Sequence, residues 1–300
     1  MKAIVINRHG GPEVLEPADL PPPQPKQGET LVRILAAAVN PADGKWRAGL
    51  FESFAPVGFP HVLGYDVAGE VIGGEGFAPG ARVFGILDPF RKGGYAEQVA
   101  VAADHLAPVP DGLDLPTAAA IPTAGLTGLQ MVERGLDLQA GQRLMLTGAL
   151  GAVGRFALFA AKERGVHVTA AVRAAHVEAV RALGADDVIA LGKEDWSGAS
   201  FDHVIDTVGG EAVGALCRHL KPGGRVLTAA TTPIPSDELP SAPEFFAVVP
   251  SGPDAVRLGA AVAQGRIAVP IARILPLDQA AEAQRLVDAG GLNGKVILTN

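Results

Sequence analysis

Residues 143–165 read RLMLTGALGAVGRFALFAAKERG. An apolar, strand-like run from Arg143 to Thr147 enters a turn carrying Gly148, Gly151 and Gly154, and a helical pattern from Arg155 to Arg164 follows at once. Glycines without a Cβ let the backbone come close to a phosphate. A new helix aims free N–H groups and the positive end of its dipole at the same place. The order therefore suits a dinucleotide pyrophosphate. The spacing is A-x-G-x-x-G, because Ala149 stands where the G-x-G-x-x-G pattern has its first glycine. Any tight strand-to-helix turn also needs glycine for conformational reasons alone, so the following segments decide between the two readings.

Those segments read as βα units. Val166 to Val172 is a second strand, and Val177 to Leu183 is a helix stopped by Gly184. Asp187 to Leu191 is a third strand. Phe201 to Asp206 is a fourth, entered from the polar Trp196–Ser200 loop. Ala212 to Leu220 is a helix ended by Lys221-Pro222-Gly223-Gly224, and Arg225 to Thr228 is a fifth strand. Short apolar strands alternating with helices imply a parallel sheet covered on both faces. In that setting the glycine turn is read as a nucleotide site, with Thr147, Gly148, Ala149, Gly151, Ala152, Val153 and Gly154 as its cradle.

The segments on either side have another texture. Ala3–Asn7, Thr30–Val39, Asp66–Ile72, Arg82–Gly85 and Ala96–Val101 are short strands separated by turns such as Gly10-Gly11-Pro12 and Pro21-Pro22-Pro23. That pattern predicts a twisted, barrel-like sheet. Ile271 to Asn300 returns to strands around one helix, Leu277 to Asp288. The fold class is therefore α/β, a doubly wound parallel sheet inserted in a mostly-β domain. The predicted division is 1–115 plus 250–300 for the β domain and 116–249 for the inserted one.

Composition bounds the function. Three hundred residues suit two domains, and a net charge of −7 without a Lys/Arg cluster argues against a nucleic-acid face. The chain opens on a strand-like run rather than a signal peptide. The uncharged stretch Leu115 to Val132 contains Pro116, Pro122, Gly125 and Gly128, so it reads as a buried loop and helix start rather than a membrane span. The single Cys217 excludes an intramolecular disulfide. A cytoplasmic protein is expected.

Further motifs carry a resemblance. Asn40-Pro41-Ala42-Asp43-Gly44-Lys45-Trp46-Arg47-Ala48-Gly49 is similar to an N-P-x-D-x-K-x-R-x-G segment, and Pro60 to Gly69 to a P-x-x-x-G-x-D-x-x-G segment. Gly93-Gly94-Tyr95-Ala96-Glu97, Ile121 to Thr127, Asp202 to Asp206 and Gly294 to Leu298 follow in order. Together they resemble the zinc-free, quinone oxidoreductase-like branch of the medium-chain dehydrogenase/reductase superfamily, along nearly the whole length. The resemblance implies a Rossmann domain inserted in a GroES-like catalytic domain, an NADP cofactor and a homodimer formed through a Rossmann edge strand.

Zinc members of that superfamily would have a thiolate at Asn40 and an imidazole at Tyr65, and neither replacement is a good zinc ligand. A four-cysteine zinc lobe is impossible with one cysteine, and Cys217 reads as a small buried hydrophobe. No metal is predicted, and His61 reads as a turn or packing residue. Without zinc, reduction of a quinone or a conjugated C=C bond by hydride transfer fits better than alcohol oxidation. NAD-specific sites place an acid at the end of the second strand. Here Val172 is followed by Arg173, with His176 beyond, so NADPH is predicted through paired N–H donors from Arg173. Relatives often carry a lysine near His176 and a tyrosine near Leu191, which this chain lacks.

In the pocket, Asn40 is a candidate to position the carboxamide or a substrate carbonyl, and Asp43 to hold Lys45 or Arg47. Lys45 is a candidate electrophile and Tyr65 a candidate proton donor. Relatives present tyrosines where this chain has Lys45 and Phe51. Each residue has a plainer reading: Asn40-Pro41 as a turn, Asp43 as a cap of the next helical turn, Lys45 as solvated, Tyr65 as core. Thr127 resembles a residue near the nicotinamide or phosphates. Trp46, Phe51, Phe54 and the Pro233–Phe246 loop are expected to wall a site for an apolar, planar substrate. Two alternatives stay open: an NADPH-binding sensor or structural protein with little turnover, and a zinc-independent carbonyl or alcohol oxidoreductase.

Overall fold

A computed structural model describes every residue except Phe54, Pro89, Lys92, residues 193–199, Ser236 and Glu238. The Phe54 part of the expected pocket wall and most of the loop before the fourth Rossmann strand lie outside the described residues. The strands are β1 (Lys2–Ile6), β2 (Glu16–Asp19), β3 (Glu29–Val39), β4 (His61–Val62), β5 (Asp66–Gly74), β6 (Arg82–Ile86), β7 (Gln98–Ala102), β8 (Leu106–Pro108), β9 (Arg143–Thr147), β10 (His167–Val172), β11 (Asp187–Ala190), β12 (His203–Asp206), β13 (Val226–Thr228), β14 (Pro243–Phe245), β15 (Ile271–Pro276) and β16 (Lys295–Thr299). The helices are α1 (Pro41–Arg47), α2 (Leu115–Ala119), α3 (Pro122–Gln130), α4 (Ala152–Glu163), α5 (Val177–Arg181), α6 (Glu211–Cys217), α7 (Gly252–Ala263) and α8 (Ala280–Ala289).

The chain divides into two compact units, Met1–Thr123 with Pro250–Asn300, and Ala124–Val249. The first boundary differs from the predicted 115/116. Ala118, Ala119 and Ala120 are buried, and α2 packs on β3, β5 and β6, which places it in the β unit.

In the β unit, β3 is the spine. Its run of eleven residues pairs antiparallel with β16, β5 and β7 at different points along its length. The resulting sheet runs β15-β16-β3-β5-β6-β8, and a smaller sheet runs β2-β1-β4. The chain's last strand thus sits beside one of its first. Gly69 marks a close approach: a Cβ there would collide with the Arg33 carbonyl across the irregular register between β3 and β5.

The second unit holds a six-stranded parallel sheet in the order β11-β10-β9-β12-β13-β14. This is the doubly wound order, with its reversal between β9 and β12. The central strands are short apolar runs buried on both faces, as parallel strands require. Helix α4 buries Phe156, Ala157, Ala160 and Ala161 along one stripe. It ends at Gly165 (φ +70°), where Val166 N–H donates to the Ala161 carbonyl and Gly165 N–H to that of Lys162. That paired closure satisfies the last carbonyls.

Several expectations change. Helix α4 starts at Ala152 rather than Arg155, because Gly151 is its N-cap and Ala152, Val153 and Gly154 form the first turn. Part of the predicted 233–246 loop is β14, an edge strand paired to β13. Asn40-Pro41 opens a helix, and Leu115 to Val132 contains α2 and α3, followed by a π-helical turn at Met131–Gly135. Gly69→Ala should destabilise the protein by about 1–3 kcal/mol through overpacking. Urea unfolding checks this, and an unchanged midpoint contradicts it.

Candidate active site

The glycine turn is built as a cradle. β9 ends at Thr147, and Gly148 adopts φ +66°, where a Cβ would also strike Thr207 Oγ1. A Cβ on Gly154 would collide with the Gly148 carbonyl, so both glycines are demanded by space. Gly151 N–H closes the turn onto the Gly148 carbonyl at 2.8 Å, and no side chain caps α4. Its first-turn N–H groups are therefore left for an anion. Ala149 is fully buried beneath the turn, while Ala152 and Val153 are half-exposed on the new helix.

Asp206, not singled out from the sequence, braces this turn. Thr147 Oγ1 donates to its Oδ1 at 2.6 Å and Thr228 Oγ1 to its Oδ2 at 2.7 Å. The N–H groups of Val208 and Gly209 complete its shell. Thr207 N–H donates to Thr147 Oγ1, and Thr207 Oγ1 to the Thr147 carbonyl. The Thr147 hydroxyl is thus committed to shaping the turn.

Strand β10 runs beside β9, and Gly148 N–H donates to the Ala171 carbonyl at 3.1 Å. Arg173 follows Val172, exposed, and its guanidinium makes no hydrogen bond or ion pair among the described residues, while its carbonyl accepts from the His176 N–H. His176 is half-buried one short turn later, and Thr127 is buried on α3. Leu191 packs partly against the Rossmann core. The residues present fit a dinucleotide.

The β unit carries the other candidates. Asn40 is the N-cap of α1, and its backbone N–H donates to Asp43 Oδ2 at 2.8 Å. Its side-chain Nδ2 donates to Asp66 Oδ2 at 2.9 Å, and its Oδ1 accepts from Lys295 Nζ. The amide is engaged at both ends inside this unit, so what Asn40 does in the structure is tie α1 to β5 and β16. Asp66 also accepts from Thr123 N–H at 2.8 Å and Thr123 Oγ1 at 2.6 Å, and Lys295 Nζ lies 3.9 Å away. Burial pushes the Asp66 carboxyl up against the pull of Lys295, and burial pushes the Lys295 ammonium down.

Asp43 does not hold Lys45 or Arg47, as one expectation had it. Its Oδ2 takes the Asn40 N–H and the Tyr95 hydroxyl at 2.9 Å, while its Oδ1 is buried with no hydrogen-bond partner among the described residues. Arg47 reaches Gln284, Asp288 at 2.8 Å and the Gly10 carbonyl instead. Burial raises the Asp43 carboxyl to about 7, against the Asn40 and Tyr95 hydrogen bonds.

Tyr65 is 7% exposed, and its hydroxyl is likewise buried without a partner. Burial, then the Asp43 charge, hold its phenol well above its ordinary value. Lys45 is half-buried with no ion pair among the described residues, and burial lowers its ammonium. Trp46 meets Phe51 and Phe90 edge to face, with ring centroids 5.3 and 5.7 Å apart. The Trp46–Phe51 part of the expected wall is thus an aromatic cluster, to which Phe90 is added.

Among the described residues no group of three His, Cys, Asp or Glu side chains suits a metal. Cys217 is fully buried in the Rossmann core, and burial pushes its thiol up to about 12. His61 is buried in β4, paired with Ile6. A separate cleft of about 500 Å³ in the β unit, lined by residues including His61, Phe90 and Arg91, contains none of the four catalytic candidates.

Residues 26–111 match an alcohol dehydrogenase GroES-like domain, and residues 183–298 match a zinc-binding dehydrogenase domain. A chloroplast envelope quinone oxidoreductase homolog of Arabidopsis thaliana is 34% identical over 78% of this chain and 76% of its own length. The chain belongs to the medium-chain dehydrogenase/reductase family. An NADPH-dependent alkenal/one oxidoreductase of the same plant is 30% identical, over 99% of this chain and 79% of its own. Among solved structures, an NAD-dependent alcohol dehydrogenase superposes with a TM-score of 0.87 at 32% identity, covering 100% of both chains. The quinone oxidoreductase of Coxiella burnetii gives 0.85 at 28%, over 100% of this chain and 99% of its own. This medium-chain dehydrogenase/reductase is an oxidoreductase of the NAD(P)H-using kind. No helix among its described residues is long and apolar enough to cross a membrane.

Two predictions follow from this geometry. Gly154→Ala should weaken dinucleotide binding by at least about tenfold, because the Gly148 carbonyl must move and distort the cradle. Calorimetric titration checks this, and unchanged affinity contradicts it. The second concerns pH. Native Asp43 keeps its proton up to about 7, whereas the ordinary value is 3.8. The native state therefore binds more protons between those limits, and this stabilising contribution is lost as pH rises through the native value. The Asp43→Asn variant should gain stability relative to the wild type over that range. A pH-independent difference in urea unfolding contradicts this.

Proposed function

We propose that the protein is an NADPH-dependent, zinc-independent oxidoreductase that reduces quinones or activated C=C bonds by direct hydride transfer. The observation that carries the cofactor choice is the pair of adjacent strand ends. β9 runs into the uncapped glycine turn, and β10 into Arg173, whose guanidinium has no partner among the described residues. An acid at that second position would repel a 2′-phosphate, whereas a guanidinium binds it through paired donors. When bound, NADPH supplies the hydride. The first-turn N–H groups of α4 would take its pyrophosphate, with Gly148 and Gly154 giving the backbone room.

The donor set supports a zinc-independent reaction, since an amide at Asn40 and a phenol at Tyr65 are poor zinc ligands. In such a reaction the protein's residues stabilise charge developing on the substrate oxygen and return a proton. Lys45 is the candidate for the first task and Tyr65 for the second. Its raised phenol stays protonated and so remains a donor. The aromatic cluster of Trp46, Phe51 and Phe90 supports a planar, apolar substrate. Quinone, enoyl and alkenal/one reductases among the relatives point to the same class. The reading takes the protein as a cytoplasmic homodimer formed along the β14 edge.

A second reading, a carbonyl or alcohol oxidoreductase, is favoured by the likeness to the NAD-dependent alcohol dehydrogenase structure. A turnover screen of quinones, enals, enones, aldehydes and alcohols separates the two. Binding without consumption of NADPH would instead indicate a sensor. Arg173→Ala should raise the Kd for NADPH by about tenfold or more, given charge-assisted bonds worth about 1.5–3 kcal/mol, and leave that for NADH nearly unchanged. Fluorescence titration checks this, and equal losses for the two nucleotides contradict it. Turnover should also be insensitive to chelators, and stoichiometric zinc by metal analysis would overturn that claim.

A further inference from the structure

Arg155 stands where a helix ordinarily carries acids. It is the fourth residue of α4, whose first turn holds no Asp or Glu and whose N-cap, Gly151, has no side chain to accept from the N–H groups. Side chains on a helix lean back toward its N-terminus. Arg155 does so, and its Nε donates to the Leu150 carbonyl at 2.9 Å, inside the glycine turn. A guanidinium has five N–H donors, and this bond uses one. Neither Nη group has a hydrogen-bond or ion-pair partner among the described residues. The side chain is half-buried, and burial lowers its guanidinium below the ordinary value with no carboxylate among the described residues to counter it.

A cation in this place works against the helix. The positive end of the dipole and the first-turn N–H groups both repel it, which is why acids are favoured there. A residue that breaks a local rule without a compensating partner marks a functional demand. An anion in the turn removes the conflict, because the N–H groups, the dipole and the guanidinium then all meet one negative charge. The bond to Leu150 adds a second advantage. It holds the planar fork against the turn before any ligand arrives, so less side-chain freedom is lost on binding. We propose that Arg155 is a second phosphate-binding cation of the dinucleotide site, pairing with the 5′-diphosphate bridge at the glycine turn while Arg173 reads the ribose 2′-position. This rests on the dinucleotide reading above and divides its labour. Arg155 supplies affinity common to NADPH and NADH, and Arg173 supplies the choice between them.

Calorimetric titration of the full chain with NADPH, NADH and ADP tests the assignment. Arg155→Met keeps the apolar stem and removes the charge, and Arg155→Lys keeps the charge without the fork. Arg155→Met should raise the Kd of all three ligands by about tenfold or more, equally for NADPH and NADH, as the loss of a charge-assisted bond implies. It should also make binding less sensitive to salt, since one cation no longer meets the phosphates. Arg155→Lys should show a smaller loss of the same pattern, with the salt sensitivity of the wild type. Unchanged Kd values in both variants overturn the proposal. So does a loss that leaves the salt sensitivity of Arg155→Met unaltered, because Arg155 would then only shape the turn through Leu150. A loss confined to NADPH overturns it too, since that would place Arg155 at the 2′-phosphate. If the wild type binds none of the three ligands, the dinucleotide reading itself falls and takes the proposal with it.

Discussion

The β unit depends on one buried ionic contact, Lys295 with Asp66, bridged by the Asn40 amide. Each ion taken out of water costs several kcal/mol, and the attraction offsets this only when the remaining donors and acceptors are satisfied. On the Asp66 side they are, since Thr123 supplies two donors to Asp66 and Asn40 supplies a third while accepting from Lys295. Removing one partner from such a pair costs about 3–5 kcal/mol. The contact joins segments far apart in sequence: the start of α1, the start of β5, the start of α3 and the first residue of the last strand. It fixes where α1 begins, and therefore where Asp43, Lys45 and Trp46 stand.

A second chain of polar groups runs from that node. The Asn40 backbone holds Asp43, Asp43 holds Tyr95, Tyr95 meets Gln284, and Gln284 meets Arg47, which ends on the half-exposed Asp288. Fully satisfied networks of this kind rigidify their surroundings, and single gaps in them are conspicuous. The gaps at Asp43 Oδ1 and Tyr65 Oη lie in the β unit, while the Rossmann counterpart around Asp206 has its carboxylate filled by five donated bonds. One network shapes the glycine turn. The other leaves two buried polar atoms without a hydrogen-bond partner among the described residues.

Local patterns were readable from the sequence alone, and distant pairings were not. β9 is bounded by its apolar run and glycine turn, and the succession of the first five Rossmann strands along the chain follows from their alternation with helices. β14 was missed because three residues, Pro243 to Phe245, carry no strand period and are half or fully exposed. α1 was missed as a helix because Asn-Pro also signals a turn, although the Asn40–Asp43 capping box spells a helix start. At the site, Asn40, Asp43 and Tyr65 were singled out, but their partners were not. Asp66 and Lys295 are charges that open largely apolar strands, a signal that marks a buried pair without naming it. Tyr95 and Gln284 carry no such mark, since their meeting depends on β16 and α8 folding back onto the first strands.

The central claim is that the protein passes hydride from a nicotinamide to an electron-poor carbon without a metal. The most direct measurement is turnover of an enone by the chelator-treated protein with NADPH deuterated at the nicotinamide C4, in each stereochemical form, followed by mass and NMR analysis of the product. One of the two forms should place deuterium on the β-carbon, with the α-hydrogen drawn from water. Loss of the label from both forms, or turnover only when zinc is restored, would contradict the account.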